Sequence, residues 1–131
     1  MEVTGTKVRR TMSASTLSGD KVVNRQNEDL GKIDDFMIDL DSGCVAYAVL
    51  SHGGIMGLGD KLFAIPMQAL MLDEDRKEFV LDISKDRLQN APSFDKDNWP
   101  DSADQMFIDR VYDYYGYKPS WRSSEFTSGR R

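Results

Sequence analysis

Between residues 15 and 83, apolar positions come in short bursts, and each burst is closed by turn chemistry. This pattern predicts a small all-β unit. Residues 21–24 form a short strand candidate, followed by a polar turn over 25–29. Gly31 opens a longer strand that runs to Leu40. On it Phe36, Ile38 and Leu40 fall on one face at period two, with Asp35, Met37 and Asp39 on the other. Asp41-Ser42-Gly43 predicts a tight turn, because Asp and Ser bond the local backbone and Gly accepts positive φ. Residues 44–51 follow as a strand that is apolar on both faces, so both faces should be covered. These two strands are expected to pair as a hairpin. Residues 52–60 read as a loop, with four glycines between Gly53 and Gly59. Residues 61–65 form a strand, with Pro66 at its end or on an edge. Residues 68–72 and 79–83 then flank a charged hairpin turn.

The texture changes at Ser84. This residue is expected to cap a helix that Pro92 limits to about two turns. Residues 91–100 read as an irregular connector studded with aromatic side chains. A second helix is expected from about 101 to 115, with Phe107, Val111 and Tyr114 or Tyr115 in an apolar stripe and Gly116 as its stop. The predicted organisation is a flexible arm at 1–14, a β domain at 15–90 and an extension at 91–131 that ends in a mobile, basic, Ser-rich tail.

Composition narrows the functions available. The chain has 131 residues, with 17 Lys+Arg against 22 Asp+Glu, a formal charge of −5. That length suits one small domain with tails. The acidic balance argues against a general nucleic-acid binder, which needs a basic surface to neutralise phosphate. A single cysteine, Cys44, excludes an intramolecular disulfide and a thiolate zinc site; a single histidine, His52, excludes any centre that needs two imidazoles. The longest apolar run, residues 44–50, is strand-sized and well short of the roughly 20 residues of a membrane-spanning helix. The N-terminus lacks the apolar core of a secretory signal. A cytoplasmic location is expected.

The stretch Ala14-Ser15-Thr16-Leu17-Ser18-Gly19-Asp20-Lys21-Val22-Val23-Asn24, followed by Glu28-Asp29-Leu30-Gly31-Lys32-Ile33-Asp34-Asp35, resembles the opening of a PRC-barrel domain. The stretch from Gly53 through Lys61-Leu62-Phe63-Ala64-Ile65-Pro66 to Leu70 is similar to that family's most distinctive segment, a Gly-rich loop leading into a strand that ends in proline. The resemblance covers roughly residues 13–90. It implies a mainly β fold, a small and strongly bent barrel, here carrying a C-terminal helical extension. The family includes the cytoplasmic domain of the reaction-centre H subunit and the C-terminal domain of a ribosome maturation factor, and some bacterial members are linked to stress. In those cases the barrel is an assembly surface, and the family supplies no shared catalytic residues.

Each chemically suggestive feature has a plainer reading. A dinucleotide fingerprint needs Gly-x-Gly-x-x-Gly between a strand and a helix. Here the order is Gly54-x-x-Gly57-x-Gly59, and a strand follows. The loop instead presents Ile55, Met56 and Leu58, which need cover from the barrel or from a partner. His52 reads as a surface or strand-end histidine bonded to backbone rather than a general base. Asp34, Asp35, Asp39 and Asp41 do not follow the spacing of a calcium loop and read as a solvated turn, with Asp39 and Asp41 on one strand face. Cys44 reads as an inert buried thiol. Arg122, Arg130 and Arg131 are too spread out to mark an RNA site.

More informative is the cluster of Phe107, Tyr112, Tyr114, Tyr115, Tyr117 and Trp121, because aromatics dominate both cores and interfaces. The expectation is a non-enzymatic interaction or assembly module, a homodimer or the partner of another protein. Its interface candidates are Ile55, Met56, Leu58, Phe107, Val111, Tyr114 and Tyr115. No catalytic residue, cofactor or metal is assigned, and direct nucleic-acid contact is not expected. One alternative is a binding protein linked to RNA processing or ribosome maturation. Another is a small-ligand binder or enzyme with a site beside the Gly-rich loop, near His52 and Asp60.

Overall fold

A computed structural model describes residues 10–52, 61–101 and 104–122. Seven strands form one sheet: β1 (Lys21–Val23), β2 (Asp29–Ile38), β3 (Val45–Ser51), β4 (Lys61–Ile65), β5 (Leu70–Asp73), β6 (Glu78–Leu81) and β7 (Ser93–Asp95). Their order is β5-β6-β1-β2-β3-β4-β7. All neighbours are antiparallel except β1 and β6. Val22, Ile33, Leu50, Phe63 and Phe79, drawn from five strands, meet in one buried cluster, so the sheet curls around a common interior. Among the described residues no ladder joins β5 to β7, and the barrel is an open one.

The doubly apolar strand is explained by a second cluster. On β3 and β4, Ala48, Leu50, Phe63 and Ile65 point into the barrel, whereas Tyr47, Val49, Leu62 and Ala64 point outward. The helix α3 (Gln105–Tyr115) covers that outer face with Phe107, Ile108, Val111 and Tyr112. Burying such a stripe, and not intrinsic propensity, is what stabilises an 11-residue helix in water. Asp104 caps its start, accepting from the Phe107 amide at 3.0 Å. Gly116, at φ 81°, ends it. The start lies four residues later than the sequence pattern suggested, at the first residue after the cap.

Other local signals were read as the chain uses them. Ser84 caps α2 (Lys85–Gln89) through the Arg87 amide. Pro66 closes β4, and the charged segment turns β5 into β6. Between β1 and β2 the buried Asn24 organises the turn. Its Oδ1 accepts from the Gln26 and Glu28 amides, and its Nδ2 donates to the Ile83 carbonyl.

Four readings need correction. Phe36, Ile38 and Leu40 do not share one strand face, because a register shift at Met37/Ile38 separates Phe36 from Ile38 and Leu40 lies beyond the end of β2. Ile38 is 49% exposed and Leu40 92% exposed. Asp39 lies beyond the end of β2; its carboxylate accepts from the Ser42 amide within the turn, so it shares no strand face with Asp41. Cys44 is exposed, in the turn just before β3. Residues 93–95, expected to be irregular, form β7 along β4; a three-residue strand with only Phe94 buried is too short to display a period. In addition, residues 68–69 belong to a 3-10 turn ahead of β5, and a short helix α1 (Ala14–Leu17) precedes β1.

Candidate interaction surface

Of the seven interface candidates, Ile55, Met56 and Leu58 lie outside the described residues. Phe107 and Val111 are buried within the chain: Phe107 packs edge-on against Tyr47 and Phe94, with ring centroids 5.9 Å away in each case, and Val111 is fully enclosed. Tyr114 and Tyr115 are half-buried and turn toward the barrel-side cluster. Tyr114 is tied to α2, donating its hydroxyl to the Arg87 carbonyl at 2.5 Å. The Tyr115 hydroxyl is buried without a hydrogen-bond partner. The aromatic stripe of α3 is thus used on its own sheet.

His52 is 1% exposed at the end of β3. Its Nδ1 donates to the Leu30 carbonyl at 2.5 Å, its ring meets Phe63 edge-on, and Nε2 has no hydrogen-bond partner. The strand-end position and the backbone bond match the sequence reading, and the ring is buried there. A nearby cleft of about 350 Å³ is lined by Gly19, Lys21, Asp29, Gly31, Lys32 and Ser51, and His52 is not part of that lining. Asp60 lies outside the described residues.

The larger groove, about 460 Å³, lies elsewhere, between the β2–β3 turn and the start of α3. Its apolar lining comes from Met37, Ile38 and Leu40 on one side and Tyr47, Phe107 and Ile108 on the other. Every ionisable carboxylate-type group on it is an aspartate, Asp39, Asp41, Asp101 or Asp104, and no lysine or arginine appears among its described lining residues. Tyr47 registers this environment. Burial, and then the charge of Asp104, push its phenol up to about 12. Both walls are fixed locally. The turn is closed by the Asp39 amide on the Cys44 carbonyl at 2.8 Å and the Gly43 amide on the Asp39 carbonyl at 2.7 Å. The helix start is held by its Asp104 cap.

Sequence reasoning missed this groove because its walls are some sixty residues apart and only the packing of α3 on β3 brings them together. One signal was available: Leu40 stands directly before the Asp41-Ser42-Gly43 turn, where a large apolar side chain finds little cover.

The sequence profile described as "PRC-barrel domain" matches residues 9–88. The chain belongs to the PRC-barrel domain family. The matched span holds β1 to β6 and most of α2, whereas β7 and α3, which complete the second core of this PRC-barrel protein, lie beyond it. Among curated proteins, none matches. Among solved structures, the chain is similar to a putative 16S ribosomal RNA processing protein, RimM, from Pseudomonas aeruginosa, at 24% identity and a TM-score of 0.40. That match covers 57% of this PRC-barrel chain and 45% of the Pseudomonas protein, less than half of its length. Among the described residues, no helix is long and apolar enough to cross a membrane, and no three His, Cys, Asp or Glu side chains converge to hold a metal ion.

Proposed function

We propose that this PRC-barrel protein is a non-enzymatic interaction and assembly module that self-associates and presents its barrel surface to a protein partner. The observation that carries this reading is the pair of apolar side chains left in solvent at the end of β2, Ile38 and the 92%-exposed Leu40, beside an apolar groove. Large apolar groups clustered at a concave surface gain from being covered. Phe107 and Val111 are buried in the chain's own core, so the proposed contact surface centres on the exposed Ile38 and Leu40. Self-association is assigned to Ile55, Met56 and Leu58, three apolar residues set among the glycines of the 53–59 stretch of the sequence.

The test is multi-angle light scattering over a range of concentrations, on the wild type and on a variant with Ile55→Ser, Met56→Ser and Leu58→Ser. The wild type is expected to run above its monomer mass, and the variant to fall toward it with β-type circular dichroism unchanged. Equal masses for the two proteins would refute the loop assignment.

A further inference from the structure

We propose that the cleft on the outer face of β1, β2 and β3 binds a small phosphate monoester, held between the ammonium groups of Lys21 and Lys32. The inference goes beyond the assembly reading and does not depend on it, since the cleft shares no lining residue with the groove at Ile38 and Leu40.

Strand register builds the site. Lys21 on β1 stands directly opposite Lys32 on β2, and Lys32 directly opposite Ser51 on β3. Two exposed cationic side chains and a hydroxyl therefore form one row across three strands, and all three residues line the cleft. Like charges facing each other on adjacent strands repel and cost stability. That cost is unrelieved here, because among the described residues neither lysine has an ion-pair partner. The nearby carboxylates are engaged elsewhere. Asp29, on the lining, accepts from the Gly31 amide at 2.9 Å, and Glu78, beside Lys21 in register on β6, pairs with Arg76 at 3.4 Å. With two lysines against one aspartate, the lining is positive on a chain that carries −5 overall.

A bulge shapes the cleft. The pairing of β1 with β2 shifts between Val22 and Val23 and leaves Leu30 opposite no residue of β1. Strict alternation would send Gly31 and Lys32 to opposite faces, whereas at the bulge both line the same space. The donors then define the ligand. A carboxylate is satisfied by one ammonium and would leave the second lysine unpaired. A phosphate monoester carries nearly two charges near neutral pH and three terminal oxygens, enough for both ammonium groups and the Ser51 hydroxyl. At about 350 Å³ the cleft lies toward the small end of the range for small-molecule sites and admits the phosphate with a modest organic group.

The probe is phenyl phosphate, titrated into the full isotope-labelled chain and followed by amide chemical shifts, with benzoate and chloride as comparisons at matched ionic strength. Saturable shifts are expected at Lys21, Lys32 and Ser51, with an affinity about five-fold or more above that for benzoate. Lys21→Gln combined with Lys32→Gln should weaken phenyl phosphate about ten-fold or more, and either change alone about three-fold. The double variant should keep or raise the urea midpoint, since it removes the opposed charges, and this separates a lost site from a lost fold. Replacing both lysines with arginine should retain binding. Equal affinity for benzoate, binding that ignores the glutamine variants, or no saturable shift at the two lysines overturns the inference. A short oligouridine titrated alongside offers phosphodiesters instead. If it binds more tightly than phenyl phosphate through the same lysines, the cleft reads a nucleic-acid backbone and the small-ligand assignment falls.

Discussion

Arg87 on α2 and Tyr114 on α3 hold each other twice. The Arg87 guanidinium donates to the Tyr114 carbonyl at 2.8 Å, and the Tyr114 hydroxyl donates back to the Arg87 carbonyl at 2.5 Å. The guanidinium also lies over the Tyr114 ring, 4.5 Å from its centroid. This clasp joins the last helix before the connector to the end of α3, and so fastens the extension to the barrel. Tyr114→Phe should cost about 1 kcal/mol in urea unfolding. Arg87→Ala should cost more, since it removes the ring contact as well. No change in the unfolding midpoint for either variant would contradict the clasp.

The neighbouring tyrosine behaves oppositely. The Tyr115 hydroxyl is buried without a partner, and its burial raises its pKa. Tyr115→Phe removes an unsatisfied polar group and should be neutral or stabilising by up to about 1 kcal/mol. Urea titrations of the two Phe variants side by side check the contrast. A loss at residue 115 as large as that at 114 would contradict it.

Stability should fall in alkali. Burial raises the pKa of Tyr112 and Tyr115, and burial together with Asp104 raises Tyr47 to about 12. A phenol whose folded pKa exceeds its unfolded value of about 10 keeps its proton in the native state when the unfolded chain has lost it. The contribution is therefore fully present below pH about 10 and is lost as pH rises toward 12, at up to about 1.4 kcal/mol per tyrosine per pH unit. Urea midpoints from pH 8 upward, with phenolate absorbance followed in parallel, measure this. A flat midpoint through pH about 11 would contradict it.

Gly31 is where two backbones come closest. It adopts φ 128°, and a Cβ built there would lie 2.1 Å from the Ser51 carbonyl oxygen. Gly31→Ala should destabilise by about 3 kcal/mol or more, because both the φ and the contact penalise a side chain. A melting temperature within a few degrees of the wild type would show that β2 and β3 can separate there at little cost.

The alternation of apolar residues made the β2–β3 and β5–β6 hairpins legible, and Ser84 and Gly116 marked helix ends that the chain uses. The doubly apolar β3 announced that something must cover its outer face. It did not announce that α3 does so, since an aromatic stripe serves equally against the same chain or another. The bulges in β2 were invisible for a different reason: they depend on pairing with β3, and local periodicity carries no register. The register shift beside Ile38 accompanies its exposure, and Leu40 stands exposed in the turn past the strand end. The groove, with its walls meeting only in three dimensions, was therefore beyond the reach of a local reading, although each of its aspartates stood in plain view.

Direct RNA contact is not expected of a surface with this charge. Mixing the protein with ribosomal RNA should give no mobility shift at physiological salt, because few phosphates could be neutralised. A shift that weakens steeply with added salt would contradict this and favour the RNA-linked alternative.

The central claim is that α3 belongs to the fold while association uses the loop. Hydrogen exchange followed by mass spectrometry, at low and at high protein concentration, separates the two. The account predicts that α3 amides over Gln105–Tyr115 are equally protected at both concentrations, and that residues 53–60 gain protection when the protein is concentrated. Protection that rises over α3 instead, with the loop unchanged, would contradict it.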